Sequence, residues 1–437
     1  MKMINQLWKS PRSIVFTSLF VLLLTVGLSW LIFEKAAKNN SSSASSFSNL
    51  KSLLLIADNP GKISALIRCE VALMKAEAAA LLGNYHEAHD LYEDAVRDIV
   101  FSCGEDSIYT CTFMGRQADF EIKNERYLIA EPLARRALKT YTLSGTDKLL
   151  LLRYRQSLED ALCELDEKKR AEALSLSIEN VNLATAVDRE LESKSSAETS
   201  SALNRLGYCY SACNKPDQAI ETYEKSLSIL QLKNRPIDEI CNTRVAEAEV
   251  RTKQGDYDSA VSFLTKAVQL DSVSTEMLSR RALGYSLAKD YSNAIADADA
   301  VIALKPNNPN SFALRAEIYY YAGQWQKAVE DYNVCIKSAP KMSFFLWRRA
   351  EALAKSGDDQ GAVDDYSRIL QAPDIDGLVA VLNKQQGAII DQRPAEVLVL
   401  THRAALYTRL GDKKSAANDV AAAQRILEQM PHNRQAQ

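Results

Sequence analysis

From Phe312 to Pro340 small and apolar residues recur at helical spacing. Phe312, Ala316 and Tyr319 come first, and past Gly323 and Trp325 follow Ala328, Tyr332 and Cys335. That pattern predicts two amphipathic helices joined by a tight turn. Pro340 ends the second helix, since proline has no amide hydrogen to continue it. From Arg349 the spelling that began at Arg315 returns, with Arg, Ala, Glu, Gly, Ala, Asp and Tyr back in step. The small residue at the predicted helix crossing recurs as Ala260, Ala294, Ala328 and Ala362, always 34 apart. Its companions are Leu264 and Ala267, Ala298 and Val301, Tyr332 and Cys335, then Tyr366 and Ile369. After an insertion at 371–393, Ala404, Tyr407, Gly411, Ala416 and Ala423 resume the pattern in the same frame.

Upstream, "LNRLGYCYSACNKPDQAIETYEKSLSI" supplies Leu203, Gly207, Tyr210, Ala219, Tyr223 and Ser226 in the same roles. Further back the spacing widens, with Ala88, Ala130 and Ala173 being 42 and 43 apart and Ala219 coming 46 later. Nine copies in frame, from about Ile63 to Leu427, predict an all-α chain of helix pairs. One pair cannot bury its apolar stripe alone, whereas stacked copies share a continuous core.

This spelling resembles the tetratricopeptide repeat, whose period is about 34 residues. "NERYLIAEPLARRALKTY" (Asn124 to Tyr141) resembles the longer repeat of kinesin light chains and their bacterial relatives. The resemblance implies a superhelical solenoid, with longer-period repeats over 63–235 and repeats of about 34 residues over 236–427.

A second regularity runs through the later copies. Arg281, Arg315, Arg349 and Arg403 share one position, and Asp297, Asp331, Asp365 and Asp419 follow them, each at the same spacing. A charged binding ladder is one reading. The reading favoured here is one ion pair per copy between packed helices, which fixes register more than it adds stability.

The N-terminus departs from the pattern. The stretch from Ser13 to Phe33 carries no charge. At helical rise it spans about 31 Å, enough to cross a bilayer core. Trp8 and Trp30 lie near its ends, and Lys2, Lys9 and Arg12 precede it. A transmembrane signal anchor over 13–33 is expected, with 1–12 in the cytoplasm, a Ser/Asn-rich linker over 34–50 and a flexible tail over 428–437. A cleaved signal peptide is the rival, but "IFEKAAKNN" makes a poor cleavage site. The expected location is a bacterial inner membrane with the repeats outside the cytoplasm.

The net charge is −3, which gives no electrostatic footprint for nucleic acid. Chemistry is sparse. Cys209 and Cys213 are one helical turn apart without a second Cys or His pair, so small packing residues are expected rather than ligands. If the repeats are exported, Cys103 and Cys111 are the disulfide candidates. "YHEAHD" (Tyr85 to Asp90) sets His86 and His89 three apart, where a zinc-protease motif needs four. "GYSLA" (Gly284 to Ala288) lacks the second glycine of a nucleophile elbow. No catalytic residue, metal ligand or cofactor is therefore expected, and the chain reads as a non-enzyme.

In the resembled family the outward positions of the first helix of each pair line the partner surface. Here these are Asn310, Ala313, Glu317, Tyr320 and Tyr321 in one copy and Phe344, Trp347, Glu351 and Lys355 in the next. An aromatic strip edged with carboxylates would suit a basic or apolar peptide, and would repel the acidic C-termini that co-chaperone repeats capture. The expected function is a membrane-anchored scaffold that binds proteins or peptides, an assembly or adaptor factor. A cytosol-facing receptor or scaffold, or a metal-dependent enzyme using His86, His89 or the Cys209/Cys213 pair, are the alternatives.

Overall fold

The computed structural model describes residues 60–144, 146–190, 197–233, 235–340, 342–372, 378 and 394–429. Among them are eighteen α-helices and no strand. The expected anchor, linker and most of the tail and insertion lie outside the described residues. Among the described residues no helix is long and apolar enough to cross a membrane.

The chain divides into two compact units, residues 1–169 and 170–437. The first contains α1 (Pro60–Leu81), α2 (Tyr85–Cys103), α3 (Ile108–Lys123), α4 (Tyr127–Ser144) and α5 (Lys148–Cys163). Helix α6 (Glu167–Glu190) begins at its end and continues into the second. The second then holds α7 (Ala197–Ala212), α8 (Pro216–Leu232), α9 (Ile237–Lys253), α10 (Tyr257–Leu270), α11 (Thr275–Leu287) and α12 (Tyr291–Leu304). It ends with α13 (Pro309–Tyr321), α14 (Trp325–Ser338), α15 (Ser343–Ser356), α16 (Asp359–Ile369), α17 (Ala395–Arg409) and α18 (Lys413–Gln429). Odd-numbered helices are the first (A) helices of the repeats and even-numbered ones the second (B) helices.

The recurring alanines behave as close-packing points. Ala88, Ala130, Ala173, Ala219, Ala260, Ala294, Ala328 and Ala362 are wholly buried, and Ala416 is 8% exposed. Only a small side chain lets two helix backbones approach there. Glycine does the same on the facing helix: a Cβ on Gly207 would sit 2.6 Å from the Tyr223 ring, and one on Gly115 equally close to Tyr154.

The turns repeat too. Gly255, Gly323, Gly357 and Gly411 have φ of +76°, +73°, +94° and +82°. At the matching place Lys289 adopts φ +62°, a left-handed conformation that costs a residue bearing a Cβ. The next residue caps helix B. Asp256, Asp290, Asp358 and Asp412 each accept a hydrogen bond from a backbone N–H of the following turn, satisfying a donor the helix leaves orphaned. Gln324 stands at the equivalent place and makes no such bond.

The arginine–aspartate pairs are helix-to-helix clamps, as the structural reading held. In all four the guanidinium meets the carboxylate with two parallel bonds of 2.6–2.8 Å. In Arg315, Arg349 and Arg403 the third nitrogen reaches the preceding repeat. Arg315 Nη1 donates to Asp299 at 2.6 Å, Arg349 Nη1 to Asn333 at 2.6 Å and Arg403 Nη1 to Ser367 at 2.9 Å. These acceptors lie two residues beyond Asp297, Asp331 and Asp365. The Arg403 clamp forms in register although the insertion separates it from Ser367. The repeat frame therefore closes across that segment.

Candidate partner-binding face

Along the A helices of the second unit, acids and bases pair from one repeat to the next. Arg280 on α11 meets Glu249 on α9 at 3.1 Å. Arg348 on α15 donates through Nε and Nη2 to Glu317 on α13, and through Nη1 to Glu351 at 2.8 Å. The Tyr332 hydroxyl donates to Glu317 at 2.5 Å. Burial, and then the Glu317 carboxylate beside it, push the Tyr332 phenol well above its ordinary value. Burial would lower the Arg348 pKa, but Glu317 outweighs it and holds the guanidinium charged. The first unit repeats the device, with Arg116 on α3 bridging Glu70 at 2.8 Å and Glu77 at 3.0 Å on α1.

Of the eight candidate residues, Asn310, Tyr321 and Lys355 are exposed, and Tyr320, Glu317 and Glu351 are half-buried. Tyr320 lies 5.4 Å beneath the Arg348 guanidinium and packs edge-on against Tyr321 at 5.6 Å. Phe344 and Trp347 are not on the surface, being 8% and 4% exposed. Trp347 packs edge-on 5.2 Å from Tyr366 and tilted 4.8 Å from His402. Both aromatics join an apolar cluster that includes Leu378 of the inserted stretch. A large ring at that point of α15 buries itself against the following repeat, so the expected four-ring strip shrinks to the Tyr320–Tyr321 pair. Glu317 and Glu351 also share the Arg348 guanidinium, which leaves less free negative charge for a basic partner than the sequence suggested.

What sequence reasoning missed lies one repeat earlier. Leu283 and Leu287 on α11 are 48% and 47% exposed, beside Tyr321 at 58%. They occupy the frame positions of Glu317 and Tyr321, each one repeat period upstream. Aligning the repeats by surface position as well as by core position would have found them. Leu283 and Leu287 on α11 and Tyr320 and Tyr321 on α13 thus place apolar side chains on two successive A helices that also carry the paired charges.

The cysteines offer no chemistry to this face. All eight are free. Burial pushes the Cys69 and Cys335 thiols up to about 12, far from a reactive thiolate. Cys103 and Cys111 belong to different clusters, Cys103 beside the α1–α2 core and Cys111 hydrogen-bonded to the Tyr154 hydroxyl at 3.7 Å. This arrangement does not bring the expected disulfide together. Cys209 is buried and Cys213 lies 3.5 Å from the Arg170 carbonyl, which fits the packing role expected of them.

A family model described as tetratricopeptide repeat matches residues 200–229 and 245–273, and a second with the same description matches 314–375. No curated protein matches the chain. Among solved structures, a tetratricopeptide repeat protein from Parabacteroides merdae is 16% identical, with a TM-score of 0.38 over 60% of this chain and 93% of its own. A putative kinesin light chain repeat protein from Podosopora anserina is 15% identical, with a TM-score of 0.40 over 49% of this chain and 98% of its own. MamA from Desulfovibrio magneticus is 14% identical, with a TM-score of 0.34 over 43% and 95%. At these values the likenesses say nothing of partner or role.

Proposed function

We propose that this chain, a tetratricopeptide repeat protein, is a non-catalytic scaffold that takes an apolar or aromatic segment of another protein on the A-helix face of α11 and α13. The observation that carries the reading is the exposure of Leu283, Leu287 and Tyr321 beside acids and bases already paired. Apolar surface grouped in this way is what partner proteins cover. The uncharged segment 13–33 would tether the scaffold to a membrane, with the repeats outside the cytoplasm.

A photo-crosslinking side chain placed at Leu287 or Tyr321 in living cells tests the face. Discrete adducts from these sites, with none from Val334 on α14, are the expected outcome. Equal labelling from Val334, a B-helix position 39% exposed, would defeat the reading. Protease cutting of a C-terminal tag tests the tether separately. The tag should be cut once the outer barrier alone is breached, and protection until the inner membrane breaks would place the repeats in the cytoplasm.

A further inference from the structure

On α2 in the first unit, His89, Asp90 and Glu93 hold one ring nitrogen and two carboxylate oxygens within 4.8 Å of one another. His89 Nδ1 lies 2.5 Å from Oε1 of Glu121 on α3. The Glu121 side chain is wholly buried, and its Oε2 has no hydrogen bond, with the Arg126 guanidinium 3.5 Å away. A carboxylate is costly to bury, and a histidine N–H is one of the few groups that repays it. With the proton on Nδ1 given to Glu121, the lone pair is left on Nε2. That is the tautomer a metal requires, held by the carboxylate behind it as ligating histidines usually are.

The His89–Glu121 bond alone would account for the buried acid, but not for two further carboxylates gathered at the ring. Glu93 has Arg97 at 3.8 Å, too long for a hydrogen bond. We propose that His89, Asp90 and Glu93 form a site for one divalent metal ion, with water completing its shell. One imidazole and two carboxylates suit Zn²⁺, Co²⁺ or Mn²⁺ better than Mg²⁺ or Ca²⁺, which prefer oxygen alone. His86 is not part of the group, so this is not the two-histidine motif that "YHEAHD" imitates. A bound ion would pin His89 and, through Glu121, fasten α2 to α3 within the first unit.

The test is a Co²⁺ titration of the tag-free, chelator-dialysed full chain, read by visible absorption at neutral pH. One ion per chain with a nitrogen–oxygen spectrum is expected. His89→Ala should abolish it, and Glu121→Gln should weaken it by about 10–100-fold, while His86→Ala leaves it unchanged. Asp90 is exposed, so Asp90→Asn keeps the test alive if a buried variant misfolds; it should also weaken binding. Absence of stoichiometric binding, equal binding in His89→Ala or Asp90→Asn, or a thiolate charge-transfer band would overturn the site.

Discussion

Removing one member of an arginine clamp should cost far more than removing both. Arg349 grips Asp365 at 2.7 and 2.6 Å, and the carboxylate side chain is 2% exposed. Arg349→Met leaves that carboxylate with only the half-exposed Arg368, 3.5 Å away, and breaking a buried pair on one side costs about 3–5 kcal/mol. Because the Arg349 side chain is 18% exposed, the lower end applies, about 3 kcal/mol. Asp365→Leu, which strands the guanidinium, should cost about the same or less. Arg349→Met with Asp365→Leu leaves nothing charged behind and should fall within about 1 kcal/mol of the parent, so the single losses do not add. The assay is urea unfolding of the full chain followed through Trp347, which is 4% exposed and packs edge-on against Tyr366. The other three tryptophans would be replaced by phenylalanine. Additive losses in the double variant would refute the reasoning.

Four further outcomes follow from the repeat frame and from the surface pairs. Lys289→Gly should stabilise by about 0.5–1 kcal/mol in thermal unfolding, because it relieves a φ of +62° that its sister turns assign to glycine. Gln324→Asp should add about 1 kcal/mol by capping α14 as Asp290 and Asp358 cap their helices. Gly207→Ala should cost about 1–3 kcal/mol, since its Cβ would meet the Tyr223 ring at 2.6 Å; an unchanged melting temperature would contradict the close approach. The hydrogen bond from Arg68 holds the Asp98 carboxyl below the usual range, so its stabilisation is full above about pH 4 and is lost as pH falls through the lowered value. Arg68→Ala should flatten the acid limb of stability by under about 1 kcal/mol, because the pair is solvent-exposed.

The helix pairs, the crossing alanines and the clamps were readable from spacing, because each is a contact that recurs at a fixed interval. Arg281 and Asp297 face each other for the same reason that Arg403 and Asp419 do. The candidate face was only half readable. Whether Trp347 points outward or inward depends on Tyr366 and His402, which stand at different distances along the chain and obey no common period. Glu317 looked like free charge because its partner Arg348 lies on another repeat and is not repeated in every copy. Glu121 showed no sign of its link to His89, which sits on the preceding helix and far back along the chain.

The third bond that three of the four clamps make gives the array a direction. A new repeat at the C-terminal end would bring its own arginine and aspartate, but it would need an acceptor two residues beyond Asp419, and Ala421 stands there. Its side chain offers the third nitrogen of a grafted arginine nothing to hold. Ala421→Asn would supply that third bond to one grafted copy, whereas a copy grafted without it would dock as the Arg281 repeat does, with a two-bond clamp of its own and apolar contact.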